Sequence, residues 1–263
     1  MVYQGLLNDP LLYLPISQDG GGFRGTIRSI LGQFLNKVNS LTDDQLGIIG
    51  LEHITGRYVK NVQTKFVEGL LQAIDVYYDG RPADAFRRLS GTLNNELKDF
   101  TEILKIRQYL VGESFFRMRI EKGNFPLTAK DMFHIPFEKR GLVKTQRYSI
   151  PGFPCLYLGR TLYGCWEEMN RPDINEFQVV RLKNIQPITY LDLTRPDYDD
   201  NLMTRDIYHY FMTWPLIASC SVKVSNYAEP YKPEYIVSQM LLQWIRQNQE
   251  IEAIKFNSTH IDF

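Results

Sequence analysis

The hydrophobic spacing of this chain changes near residue 112, and that change limits what it can fold into. From residue 24 to about 110, apolar residues recur at intervals of three and four, as in Ile27, Ile30, Leu31, Phe34, Leu35 and Val38 and again in Phe66, Leu70, Leu71 and Ile74. Such spacing places one apolar stripe along an α-helix. Ser40 or Thr42 stands before Asp43, Asp44 and Gln45, so a capping side chain and negative charge meet at a helix start. Gly80 and Pro82 punctuate the pattern; one helix is expected through Ala83, Ala85, Phe86 and Leu89 and another over 93–110. Gly20, Gly21 and Gly22 form a hinge between an irregular N-terminal arm and the first long helix.

Beyond Gly112 the apolar runs become short and are broken by Pro and Gly. Residues 115–119, 154–158, 177–182, 188–193 and 253–256 read as strands, with helices expected over 162–169 and 234–247. The Asp- and Tyr-rich stretch 195–210 reads as a loop or a poorly defined helix. The expected class is α+β, with a helical N-terminal domain over 1–111 and a mixed α/β domain over 112–263.

The 263 residues, 44% of them hydrophobic, can bury a full core. Thirty basic side chains against 30 acidic ones remove the electrostatic footprint expected of a nucleic-acid or anionic-membrane binder. The three cysteines, Cys155, Cys165 and Cys220, contain no C-x-x-C pair, which points to a reduced cytoplasm rather than a disulfide framework. The first residues lack a basic, apolar signal pattern, and no apolar run approaches the roughly 18–20 residues of a membrane span. His53, His134, His209 and His260 lack metal-ligand spacing, and each reads most simply as a surface or satisfied core histidine, so no metal is expected. Walker A, G-x-G-x-x-G and G-x-S-x-G patterns are all absent.

Chemistry-bearing residues concentrate between 133 and 171. Arg147 heads a turn completed by Pro151 and Gly152, Tyr157 follows on a short strand, and Glu167 and Glu168 lie on the next helix. A guanidinium for pyrophosphate, an aromatic ring for a base or sugar face and a carboxylate for a ribose hydroxyl would suit a dinucleotide. The same residues also fit a surface ion pair, a core-packed tyrosine and two acids near a helix start.

Taken in order, Phe116-Arg117, Arg147 with Pro151-Gly152, Leu156-Tyr157-Leu158, Glu168 eleven residues after Tyr157, Leu191-Asp192-Leu193, the helix from Tyr235 to Met240 and Ile254-Lys255-Phe256-Asn257-Ser258 resemble the RES-domain family. The resemblance covers about 115–260 and leaves the helical half outside it. It implies a fold like that of ADP-ribosyltransferases and a bacterial toxin that consumes NAD+ as substrate, with no separate cofactor. Carried over, Glu168 would be the catalytic carboxylate, Ser258 the named serine, and Arg147 with Arg117, or its competitor Arg119, would hold the NAD+ phosphates. Tyr157 would pack at the nicotinamide end, and Ser238 and Gln239 would line the pocket. Members often read Gly-Arg-Trp where this chain reads Gln146-Arg147-Tyr148, and Glu167 competes with Glu168 by one position.

The chemistry agrees with that residue set. Cleaving the nicotinamide–ribose bond develops oxocarbenium character, which a nearby carboxylate offsets. Water, phosphate or a protein could each accept the ADP-ribosyl group, and a nucleotide-binding regulatory module or a protein ADP-ribosyltransferase remains an alternative. The resemblance also implies an antitoxin or immunity partner, with residues 1–111 as a sensor, a homo-oligomer surface or a built-in restraint. Locally, Arg117, Arg119, Lys139, Arg140, Lys144 and Arg147 outnumber Glu121, Asp131 and Glu138, so a neutral total does not mean a neutral site.

Overall fold

The computed structural model describes residues 2–46, 54–96, 103–123, 125–196, 204–248 and 250–261. His53 lies outside them. The N-terminal helices are α1 (Val2–Leu7), α2 (Gly22–Ser40), α3 (Asp43–Leu46), α4 (Gly56–Tyr78) and α5 (Pro82–Glu96). In α2 the stripe Phe23, Ile27, Leu31, Phe34 and Val38 is fully buried, as the three-and-four spacing requires. Thr42, not Ser40, caps α3: its hydroxyl accepts from Gln45 N (3.2 Å) while Gln45 Oε1 accepts from Thr42 N (2.8 Å). Helices α4 and α5 form a hairpin whose backbones approach closely at Gly69, where an added Cβ would stand 2.2 Å from Thr92 Oγ1.

Helix α7 (Thr204–Cys220) was not evident in the sequence. Ile207, Tyr208, Tyr210, Phe211, Met212, Trp214, Leu216 and Ile217 are all buried, so the helix is apolar all round and carries no amphipathic stripe to read. Pro215 further disguises it, because proline lacks the N–H that would bond the carbonyl of Phe211. Gln63 of α4 supplies the missing donor: its Nε2 reaches Phe211 O (3.1 Å) and Met212 O (3.2 Å). Phe34 of α2 stacks on Trp214 with ring centroids 4.7 Å apart. One apolar core therefore runs from α1, α2, α4 and α5 into α7 and α8 (Ile236–Gln247), on both sides of residue 112.

The strands form two small sheets. In one, β4 (Ile188–Asp192) lies between β1 (Ile106–Tyr109), antiparallel with Ile106 opposite Leu191, and β5 (Ala253–Lys255), parallel with Leu191 beside Ile254. In the other, β2 (Ser114–Ile120) pairs antiparallel with β3 (Phe177–Lys183), Arg117 opposite Val180. The helix expected over 93–110 is corrected: 93–96 belong to α5 (Pro82–Glu96), 97–102 lie outside the described residues, and 106–109 is a strand whose partner β4 lies some eighty residues on. The strand expected over 154–158 is likewise an extended connection, joined to β2 only at Gly159, whose N and O exchange 2.8 Å bonds with Phe116. Helix α6 (Leu162–Glu168) follows it, so Glu167 and Glu168 end a helix rather than begin one.

Candidate functional site

Arg147 organises the centre of the candidate site. It sits in a tight turn, where Ser149 N donates to Gln146 O (3.2 Å) and Gln146 N donates to Ser149 Oγ (3.1 Å). Its side chain runs inward and is only 7% exposed. Nη1 donates to Cys220 O (2.8 Å), and Nη2 donates to Val222 O (2.9 Å) and Thr259 Oγ1 (3.2 Å). The guanidinium lies 5.1 Å from the Tyr235 ring centroid. One planar fork thus joins the end of α7, the segment behind it and the chain beyond β5.

The flanking aromatic residues are committed to packing. Tyr148 packs on Phe256 with centroids 4.5 Å apart, and its backbone N donates to Tyr157 Oη (3.0 Å). Burial raises the phenol pKa of both Tyr148 and Tyr157, so each stays a neutral donor. Beneath them the Cys220 thiol, pushed up to about 11 by burial, lies beside the fully buried Ser238. Gln239, one residue along α8, clamps the Arg147 turn from outside, donating to Ser149 O (3.0 Å) and Gln146 O (3.4 Å).

The two adjacent glutamates differ in what they touch. Thr161 caps α6 by accepting from Gly164 N (3.0 Å), and Gly159 is required at its entry because a Cβ would stand 2.5 Å from Cys165 Sγ. Past α6 the chain turns through left-handed Asn170 (φ 61°) and Arg171 (φ 52°), folding Arg171 back on Glu167. Arg171 Nε donates to Glu167 at 2.8 Å, and Arg171 together with the Tyr163 hydroxyl holds that carboxyl below its usual range. Glu168, turned about 100° around the helix, is exposed, and no hydrogen bond or ion pair occupies it among the described residues.

Tyr235 lies against the Arg147 guanidinium, and Tyr227 Oη faces His260 Nε2 at 3.4 Å. Burial raises both phenols; the Arg147 charge opposes that rise and the Glu168 charge adds to it. The charges of Glu168 and Arg147 thus both reach the two tyrosines, and the His260 ring packs tilted on Tyr227 at 5.5 Å between centroids. Ser258 is adjacent but does not touch Arg147: its hydroxyl accepts from His260 N (3.0 Å), and the contact falls to Thr259.

Arg117 and Arg119 stand apart on β2. Arg119 Nη1 donates to the carbonyl of Asp131. Arg117 is half-buried, its Nη1 has no partner among the described residues, and burial followed by the Arg119 charge lowers its pKa. No hydrogen bond or ion pair joins either to Arg147 or Glu168 among the described residues. Arg140 lies over the Phe137 ring at 4.6 Å. A cavity of about 880 Å³ opens on the far side of the Arg147 turn, between Tyr77, Phe86, Ile150, Tyr231 and Met240; neither Arg147 nor Glu168 lines it. No cluster able to hold a metal occurs among the described residues, and no helix there is long and apolar enough to cross a membrane.

Sequence reasoning missed Thr259, Tyr227 and Glu234. Thr259 neighbours Ser258, and Glu234 opens the helix expected over 234–247, but nothing local marks Tyr227. No protein-family model and no solved structure matches the chain. It is 39% identical over 205 residues to a Bacillus subtilis (strain 168) protein named "Putative toxin YopC", a match covering 71% of this chain. The chain spans 46% of that relative's length.

Proposed function

We propose that this protein is a toxin that cleaves the nicotinamide–ribose bond of NAD+, by hydrolysis or phosphorolysis, on an ADP-ribosyltransferase-like scaffold. The observation that carries the reading is the exposed carboxylate of Glu168, which has no partner among the described residues and whose charge reaches Tyr227 and Tyr235, while its neighbour Glu167 is consumed by Arg171. The similarity to a protein named as a toxin supports the biological side.

In this reading Glu168 faces the ribose and offsets the positive charge that grows as the nicotinamide bond lengthens. Tyr227, which is exposed, and the buried Tyr235 offer ring faces and hydroxyls to the dinucleotide. Arg147 fixes the wall that carries them. On the family resemblance Arg117, whose Nη1 has no partner among the described residues, would be the phosphate-binding cation. Nicotinamide leaves without a strong general acid. Purified protein incubated with NAD+ should release nicotinamide, and Glu168→Gln should abolish the release. Product analysis with and without inorganic phosphate separates phosphorolysis from hydrolysis, and a labelled macromolecule would indicate transfer to protein. An inhibitory antitoxin or immunity partner goes with such an activity.

A second reading is a module that binds NAD+ or ADP-ribose without turnover. It is favoured by Arg147, whose Nη atoms are spent on the protein's own acceptors. Saturable binding of NAD+ with no nicotinamide released would select it.

A further inference from the structure

The segment that holds Arg147 is itself held from its other side. The N-terminal arm pairs with residues 221–223: Ile16 N donates to Ser221 O (3.0 Å) and Lys223 N donates to Ile16 O (2.8 Å). Two residues further along the arm, Gln18 Nε2 donates both to Lys223 O (2.9 Å) and to Glu234 Oε1 (2.5 Å). The same carboxylate oxygen accepts from Ser225 N (3.1 Å) and Ser225 Oγ (3.2 Å), while the backbone carbonyl of Glu234 faces Arg147 Nη1 at 3.5 Å.

Glu234 is an expensive residue to place there. It is 1% exposed, and its Oε2 has no partner among the described residues. A buried carboxylate with an unpaired oxygen costs stability that a neutral side chain would not. Its charge reaches Tyr78, Tyr231, Tyr227 and Tyr235. It therefore joins the arm, the 220–225 segment and the aromatic wall of the candidate site.

We infer that Gln18 and Glu234 are positioning residues: the N-terminal arm fixes Glu234, and through it the acceptors of Arg147 and the ring of Tyr235 that stand with Glu168 around the substrate. The catalytic consequence rests on the NAD+ reading; the mechanical one rests on these contacts alone.

The test uses the full chain carrying Gln18→Ala or Gln18→Glu. It reads NAD+ turnover, amide hydrogen exchange at 146–149 and 220–225, and thermal melting. For Gln18→Ala we expect KM for NAD+ to rise about tenfold with kcat within about twofold, as loss of hydrogen bonds to a charged group predicts. Exchange in both segments should quicken while the melting temperature moves by less than about 5 °C. Gln18→Glu sets a second carboxylate against Glu234, so its KM should be worst near pH 8 and recover toward wild type near pH 5.5, where the pair can share a proton. A purely structural role would give no such recovery on acidification. Unchanged exchange in Gln18→Ala, faster exchange with an unchanged KM, or a wild-type pH profile for Gln18→Glu would each overturn the inference. If wild type releases no nicotinamide, the NAD+ reading fails, and the exchange result alone decides whether the arm positions Arg147.

Discussion

Replacing Arg147 by lysine separates two roles that the sequence leaves joined: gripping a ligand phosphate and holding the protein together. The guanidinium satisfies Cys220 O, Val222 O and Thr259 Oγ1 at 2.8, 2.9 and 3.2 Å from a position 7% exposed. An ammonium has no fork to bridge acceptors on separate segments, so at least one carbonyl is left buried and unpaired. That desolvation costs about 1–3 kcal/mol, and loss of the guanidinium's place on the Tyr235 ring adds about 1 kcal/mol. Arg147→Lys should therefore lower the unfolding free energy by about 2–4 kcal/mol. Urea titration followed by circular dichroism, with an unchanged m-value, is the assay. A loss below about 0.5 kcal/mol, the size of an ordinary surface change, would refute this reasoning and return Arg147 to the role of a free phosphate clamp.

Three further perturbations test the frame. Gly159→Ala drives a Cβ to 2.5 Å from Cys165 Sγ and should cost about 1–3 kcal/mol in a thermal melt, with Cys165→Ala in the same chain restoring part of it. Gln63→Met strands the Phe211 carbonyl that Pro215 cannot reach, so it should destabilise by about 1–3 kcal/mol, and adding Pro215→Ala, which returns the N–H, should recover much of that loss. His209 donates through Nδ1 to Ile103 O (3.0 Å) and accepts from Arg205 at Nε2 (3.4 Å), and burial lowers its pKa below 6.5. Above that value both folded and unfolded imidazoles are neutral. As pH falls below it the unfolded state binds a proton the folded state refuses, so stability declines toward acid. His209→Asn should flatten that decline in urea midpoints measured from pH 7.5 to 5; an unchanged slope would contradict the assignment.

Where one face of an element meets the core, the chain announces its structure. The stripe of α2 and the strands β3 and β4 follow directly from three-four and short β-branched patterns. Helix α7 was hidden because burial on every side erases periodicity, and β1 because its partner lies far along the chain. The candidate site was legible as residues and not as contacts. The eleven-residue spacing from Tyr157 led to Glu168, and the structure pairs Glu167 with Arg171 instead. The fork of Arg147 and the reach of Gln18 to Glu234 are long-range contacts that spacing cannot encode.

The central claim concerns Glu168. With Glu168→Gln, stability should stay within about 0.5 kcal/mol of wild type, since the side chain is exposed and unpaired. Measured on that folded variant beside wild type, nicotinamide release from NAD+ should be readily detected for wild type and fall at least about a hundredfold in the variant. Equal release from the two proteins would contradict the account.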